Sequence, residues 1–206
     1  MNMNRIIGSL FPGVLTHVRT SEKRLFLSFD DGPSATITPE LLRLLSDWNA
    51  KATFFCTGAK VQKYPKLLQE IENAGHAIGN HGHEHLSGWK TGLKTYLNNV
   101  HEADDILKTA FFRPPYGHLG LRQYLKIRKK YKIITWDVMA RDFHAKWTVE
   151  RSVKHVISRT KKGSIIVLHD SEQAGEKMLQ ITSQLLAYYA AKGYCFSALS
   201  LEDFPS

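Results

Sequence analysis

Short apolar runs alternate along this chain with stretches of helical spacing. Residues 24–29 (RLFLSF) and 52–56 (ATFFC) are too short for helices and read as strands. Between them, residues 39–48 (PELLRLLSDW) place Leu41, Leu44, Leu45 and Trp48 on one side of a helix. Thr38 stands where an N-cap belongs, with Pro39 at the first helical position. The pattern then predicts a helix over 61–73, stopped by Gly75, and a short strand over 77–79. A polar, histidine-rich stretch covers 80–88. Helix over 93–108, strand over 111–113, a Pro-Pro turn and a basic helix over 121–130 follow. The remaining elements are strand 131–136, helix 149–160, strand 164–168, helix 178–191 and strand 194–198.

Strands alternating with helices imply a parallel sheet with right-handed crossovers. Seven strands fit a closed or nearly closed barrel, or an open doubly wound sheet, and periodicity alone does not choose. The 206 residues suffice for one domain, and no repeat, linker or low-complexity segment divides them. An apolar fraction of 43% and a charged fraction of 23% exclude disordered and fibrous classes. The net charge of +9 favours solubility or an anionic partner, such as a membrane surface or an envelope polymer met peripherally. Its basic residues are dispersed, with Arg128-Lys129-Lys130 and Lys161-Lys162 the densest clusters, and no nucleic-acid motif accompanies them. Cys56 and Cys195 each lie in an apolar run, which predicts two buried free thiols and no disulfide framework.

Residues 6–15 (IIGSLFPGVL) are too short, and too broken by Pro12 and Gly13, to span a bilayer. They resemble a weak signal-peptide core without a small-x-small cleavage site. Residues 1–22 are therefore expected to form a strap packed on a domain of residues 23–206. A cytoplasmic monomer, with membrane-peripheral or envelope contact allowed by the charge, is the corresponding expectation.

The polar clusters change the picture most. Asp30-Asp31, the segment 80–85, the segment 113–116, the segment 137–142 and His169-Asp170 each follow a predicted strand. In parallel α/β folds those strand ends share one face, where sites are assembled. Two adjacent acids in one dry pocket would repel, unless a metal takes one carboxylate and leaves the other as a base. His81 and His85 are four apart, so one helical turn would bring both imidazoles to the same side. Two histidines and a carboxylate leave open positions on zinc or a similar ion, as catalysis requires. His83, between them, would alternate away. Arg113 can clamp a carboxylate bidentately. Prolines 114 and 115 fix a turn that leaves the Tyr116 N–H able to face an oxyanion. Beside a metal site, His169 becomes the natural general acid.

In this order, Ser28-Phe29-Asp30-Asp31-Gly32-Pro33, the segments 81–85, 113–117 and 136–143, and Val167-Leu168-His169 resemble the polysaccharide deacetylase family, the NodB-homology domain of carbohydrate esterase family 4. The resemblance runs over residues 23–198. It implies a distorted (β/α) barrel of about seven parallel strands and a metal-dependent hydrolase. Such an enzyme removes N-acetyl or O-acetyl groups from a carbohydrate, here an N-acetylated amino sugar of a cell-envelope polysaccharide. It implies Asp30 as base, His169 as acid, Arg113 orienting the base, Asp142 tuning the acid and Tyr116 assisting the oxyanion. Asp31, His81 and His85 become the ligands of a divalent ion, zinc first, with cobalt or nickel as substitutes. Pro115, Phe143 and Val167 are the implied substrate-contacting positions. The chain departs from the family pattern at Ser28, Gly82, Met139, Phe143 and Val167, positions that mostly shape the pocket. A deformylase or deacetylase of a lipid-linked sugar, and a non-catalytic carbohydrate-binding protein on the same fold, are the rival expectations.

Overall fold

A computed structural model describes residues 11–204. Its strands are β1 (Val14–Leu15), β2 (Arg24–Asp30), β3 (Ala52–Cys56), β4 (Ala77–Asn80), β5 (Phe111–Phe112), β6 (Lys132–Ile134), β7 (Val138–Met139), β8 (Ile165–His169) and β9 (Cys195–Phe196). Its α-helices are α1 (Ile37–Asp47), α2 (Gly58–Lys63), α3 (Pro65–Asn73), α4 (Leu93–Leu107), α5 (Leu121–Ile127), α6 (Val149–Ile157) and α7 (Gly175–Ala190). The strands follow the order β1-β6-β5-β4-β3-β2-β8-β7, with β9 beside the start of β2, and every ladder is parallel. None of the described helices is long and apolar enough to cross a membrane.

The two-residue period of a strand sorts side chains to two sides. On β2, Leu25, Leu27 and Phe29 pack under the helices with Leu41 and Leu45 of α1 and Ile181 and Leu185 of α7. Phe26 faces the interior with Phe55, Ile134, Trp136, Ile165 and Val167, a cluster without helical residues. Ser28 and Asp30 share the interior side of Phe26, and His169 shares that of Ile165 and Val167. Alternation thus carries a polar pair of strand ends onto the rim of an apolar barrel. Each fully buried Leu or Phe in these layers contributes about 1.5–3 kcal/mol.

The barrel closes at a seam. After β1 pairs with β6, Thr135 N donates to Leu15 O at 2.8 Å, His17 bridges to Ser164, and Val18 N donates to Gly163 O at 2.9 Å. The stretch after β6 crosses to β8 through Asp137 N to Ile165 O at 3.2 Å, and β7 then pairs with β8. The Asp137 carboxylate pins the crossing. It accepts from His17 Nδ1 at 3.0 Å, from the Ser164 hydroxyl at 2.9 Å and from Ile165 N at 2.9 Å. Of the expected strap, residues 11–22 supply β1 and this seam, and residues 1–10 lie outside the described residues.

Several local expectations need correction. Strands β1 and β7 raise the count above seven. The helix expected over 61–73 divides at Pro65, which has no N–H to continue the ladder. Thr38 is not an N-cap. It lies inside α1, where its hydroxyl accepts from Ser34 N at 2.7 Å and donates to Asp170 Oδ2 at 2.5 Å. Cys56 is buried as expected, but Cys195 is exposed, because β9 pairs only with the start of β2 and lies off the main path of the sheet.

Candidate active site

Asp30 ends β2 and lies in register with His169 at the end of β8. Sheet hydrogen bonding therefore fixes the spacing of the two. Arg113, directly after β5, is fully buried beneath them. Its Nη1 donates to Asp30 Oδ1 at 2.6 Å and to the Ser28 hydroxyl at 2.8 Å, and its Nη2 donates to Thr135 O at 2.9 Å. The guanidinium lies 3.9 Å from the centre of the Phe55 ring. Burial draws the Arg113 pKa down, and the Asp30 carboxylate opposes that. Arginine holds its charge here because its partners are rigid and its fork is filled. Asp30 Oδ2 remains, 3.9 Å from His81 Nε2.

Asp31 turns away from its neighbour at φ 73°. Its carboxylate, His81 and His85 bring one donor atom each within 4.8 Å of one another. His85 Nε2 lies 3.1 Å and His81 Nε2 3.5 Å from Asp31 Oδ1. His81 Nδ1 donates to Arg113 O at 2.8 Å, which fixes the tautomer and leaves the Nε2 lone pair toward Asp31. Burial pushes the His81 imidazole down to about 4, so it stays neutral, as a ligand must. Burial works to raise the Asp31 carboxyl, but the imidazoles of His85, His81 and His169 outweigh it and hold it below the usual carboxylate range. Among the described residues, buried Asp31 Oδ1 accepts no hydrogen bond of good geometry. An orphaned carboxylate oxygen beside two aligned imidazoles fits a divalent cation.

Opposite stands His169. Its Nδ1 donates to Asp142 Oδ1 at 2.9 Å, and its backbone N donates to Asp142 Oδ2 at 2.6 Å. Burial disfavours its charged form, but the hydrogen bond and charge of Asp142, with Asp30 and Asp31, push His169 up to about 9. Nε2 is left as the nitrogen that can serve a substrate. A cavity of about 470 Å³ joins these groups, lined also by Tyr116, His118, Trp136, Met139, Phe143, Ser171 and Gln173. Phe143 meets His169 edge-on at 4.7 Å, and Tyr116, at φ 60°, meets His85 edge-on at 4.5 Å.

The expected proton-transfer and metal-ligating residues thus converge, and Phe143 and Tyr116 line their cavity. Pro115 and Val167 do not. Val167 is fully buried in the barrel interior and Pro115 is buried in its turn, and neither lines the cavity. His83 turns away as alternation predicts, its Nε2 facing Glu84 at 3.5 Å and Glu102 at 3.4 Å. Asp137 belongs to the seam, and Asp142 is the carboxylate hydrogen-bonded to His169. The pattern did not reveal Ser28 as a partner of Arg113, or His118 at the rim, because both contacts join elements distant in sequence. Nor did it reveal Asp170, buried behind Gly32. A Cβ on Gly32 would collide with the Asp170 carboxyl, so Gly32 is required by close approach.

Comparison with known proteins agrees with this geometry. The polysaccharide deacetylase family model matches residues 17–139. A peptidoglycan-N-acetylglucosamine deacetylase of Bacillus cereus is 31% identical over 195 residues, covering 91% of each chain. A chitooligosaccharide deacetylase of Azorhizobium caulinodans is 28% identical over 202 residues, covering 93% of this chain and 95% of the relative. Among solved structures, a peptidoglycan N-acetylglucosamine deacetylase in complex with an N-hydroxybenzamide superposes with a TM-score of 0.86. It is 27% identical and covers 91% of both chains. With its barrel, its Asp-His-His cluster and its opposed Asp30 and His169, the chain belongs to the polysaccharide deacetylase family.

Proposed function

We propose that this protein hydrolyses the acetamide of an N-acetylated amino sugar in a cell-envelope polysaccharide, using a divalent ion, zinc first, held by Asp31, His81 and His85. The observation that carries the reading is the placement of two separately supported proton-transfer groups, Asp30 on Arg113 and His169 on Asp142, across one three-ligand cluster. An ion bound there supplies Lewis acidity, polarising the acyl carbonyl and acidifying water. Asp30 Oδ2, not engaged by Arg113, accepts the proton of the attacking water, whose oxygen forms the new bond to the acyl carbon. Asp30 does not swing, because Arg113 holds its other oxygen. The Tyr116 N–H donates to the oxyanion. His169 Nε2 then gives its proton to the leaving nitrogen as the C–N bond breaks, releasing acetate and a free amine. Asp142, accepting from Nδ1, favours the charged ring that carries this proton on Nε2.

The test is mass spectrometry of N-acetylglucosamine oligomers incubated with the protein, with and without chelator. Acetate loss that chelator stops and added zinc, cobalt or nickel restores is expected. Asp30→Asn and His169→Ala should each lower the rate by about 10²–10⁴ while keeping the metal, and Asp31→Ala and His81→Ala should lose the metal. Intact oligomers after incubation with the metal-loaded protein would sink the reading.

A further inference from the structure

The charges of this chain are unevenly placed. Residues 85–101 and 106–136 contain no aspartate or glutamate. They expose Lys90, Lys94, Arg122, Lys126, Arg128 and Lys129. The acids between the two segments lie in the second half of α4, where Glu102 faces His83 and Asp104 pairs with Lys130. Helix α5 stands in this acid-free region. It buries Gln123, Tyr124 and Ile127, and Tyr124 packs edge-on against Phe11 at 4.8 Å. Its outer face carries Leu121 and Leu125, four apart and 63% and 47% exposed. Trp89, 69% exposed, is tied to the start of the same helix. Gln123 donates to Gly88 O at 2.9 Å and to Thr91 O at 3.0 Å, on both sides of Trp89. Beside them opens an apolar cavity of about 210 Å³, walled among the described residues by Phe11, Val14, Trp89, Leu119, Tyr124 and Ile133. It shares no described lining residue with the catalytic cavity. Apolar side chains grouped in water within a basic border mark an interaction face.

We propose that this face docks on an anionic lipid bilayer, with Leu121, Leu125 and Trp89 entering the headgroup layer. A soluble polyanion would be met by the charges alone and would leave two leucines and an indole in water. A bilayer satisfies both halves of the face. Leucine enters the acyl boundary, tryptophan settles at headgroup level, and the long arms of Arg122 and Lys126 reach back to the phosphates. Each leucine is followed by a basic residue, so the helix needs no rotation to engage both layers. His118 stacks on Trp89 at 3.7 Å and also lines the catalytic cavity, so docking holds the mouth of that cavity beside the bilayer.

The test is co-sedimentation of the full chain with vesicles of phosphatidylcholine, alone or mixed with phosphatidylglycerol. Binding to the anionic vesicles only, weakening as salt rises, is expected. Arg122→Gln with Lys126→Gln should weaken it about fivefold per charge. Leu121→Ser with Leu125→Ser should weaken it about tenfold; both side chains are exposed, so the core is untouched. Lys161→Gln with Lys162→Gln removes the same charge just before β8, at the opposite ends of the strands, and should leave binding unchanged. No binding to anionic vesicles overturns the proposal. So does an equal loss in the Lys161 and Lys162 variant, which would reduce the effect to net charge. Polyphosphate bound as tightly as vesicles, with the leucine variant unaffected, would assign the face to a soluble polyanion instead. No substrate enters these measurements, so vesicle binding stands or falls separately from deacetylation.

Discussion

Asp30 and Asp31 are adjacent in sequence and opposite in task, and one backbone angle separates them. Asp30 keeps the strand conformation and points at a buried guanidinium, whereas Asp31 at φ 73° delivers its carboxylate to two imidazoles. Removing the guanidinium should therefore be costly. Arg113→Met leaves a buried carboxylate unpaired, and a loss of about 3–5 kcal/mol in urea unfolding is expected. The double variant with Asp30→Leu should recover part of it. If the single variant is no weaker than the double, the pair is not what holds this corner. The second prediction concerns Asp142. His169 acts as a donor only while charged, and its pKa is raised to about 9. Asp142→Asn removes the charge that raises it, so the alkaline limb of activity should move to lower pH at unchanged metal content. The same pair stabilises the fold fully below the ordinary histidine value of 6.5, and that contribution is lost as pH rises through about 9. Thermal melts of the wild type over that window should fall more than those of Asp142→Asn. A metal ion on Asp31 takes up part of the negative field and draws the limb down, so both proteins are compared at equal loading.

At the scale of elements, the seam is held by short strands and one crowded glycine. Gly163 has φ 80°, and a Cβ there would run into the Val18 carbonyl. Gly163→Ala should cost about 1–3 kcal/mol, read as a lower melting temperature. An unchanged melting temperature would mean that the seam yields without penalty. These same elements show what the sequence could and could not tell. The long strands β2, β3 and β8 were legible, because an apolar run bounded by polar turns leaves few alternatives. Strands β1 and β7, two residues each, carry no periodicity to read, and β7 hides inside the polar stretch around Asp137. Pro65 is a helix breaker by its missing N–H, but the helical spacing on either side of it masks the break. The grouping of Asp31 with His81 and His85, of Asp30 with Arg113 and of His169 with Asp142 was legible, because each follows a strand end and matches an ordered set of motifs. Ser28 beneath Arg113, Asp170 behind Gly32 and the stacking of Trp89 on His118 were not, since contacts across the barrel leave no mark on local pattern.

On the proposed function, metal, fold and site are coupled across the whole molecule. Three ligands drawn from the loop after β2 and the loop after β4 join neighbouring parts of the sheet, so ion binding should be felt globally. At an ion concentration about 100 times Kd, a gain of about 2.7 kcal/mol is expected. It should appear as a raised melting temperature with zinc that is absent in His81→Ala; equal shifts in both proteins would place the ion elsewhere. The register of Asp30 with His169 has a further consequence. Base and acid sit on adjacent central strands, whereas the seam joins β1, β6 and the β7–β8 crossing through few main-chain bonds. Opening at the seam would widen the cavity from the Trp136 side and leave the distance between base and acid untouched. In deuterated water, the amides of Val18, Thr135 and Asp137 should then exchange well before those of Phe29, Phe54 and Leu168. That order of exchange would show the β2–β8 ladder holding Asp30 and His169 at fixed spacing while the bonds from Leu15 and Val18 across the seam give way.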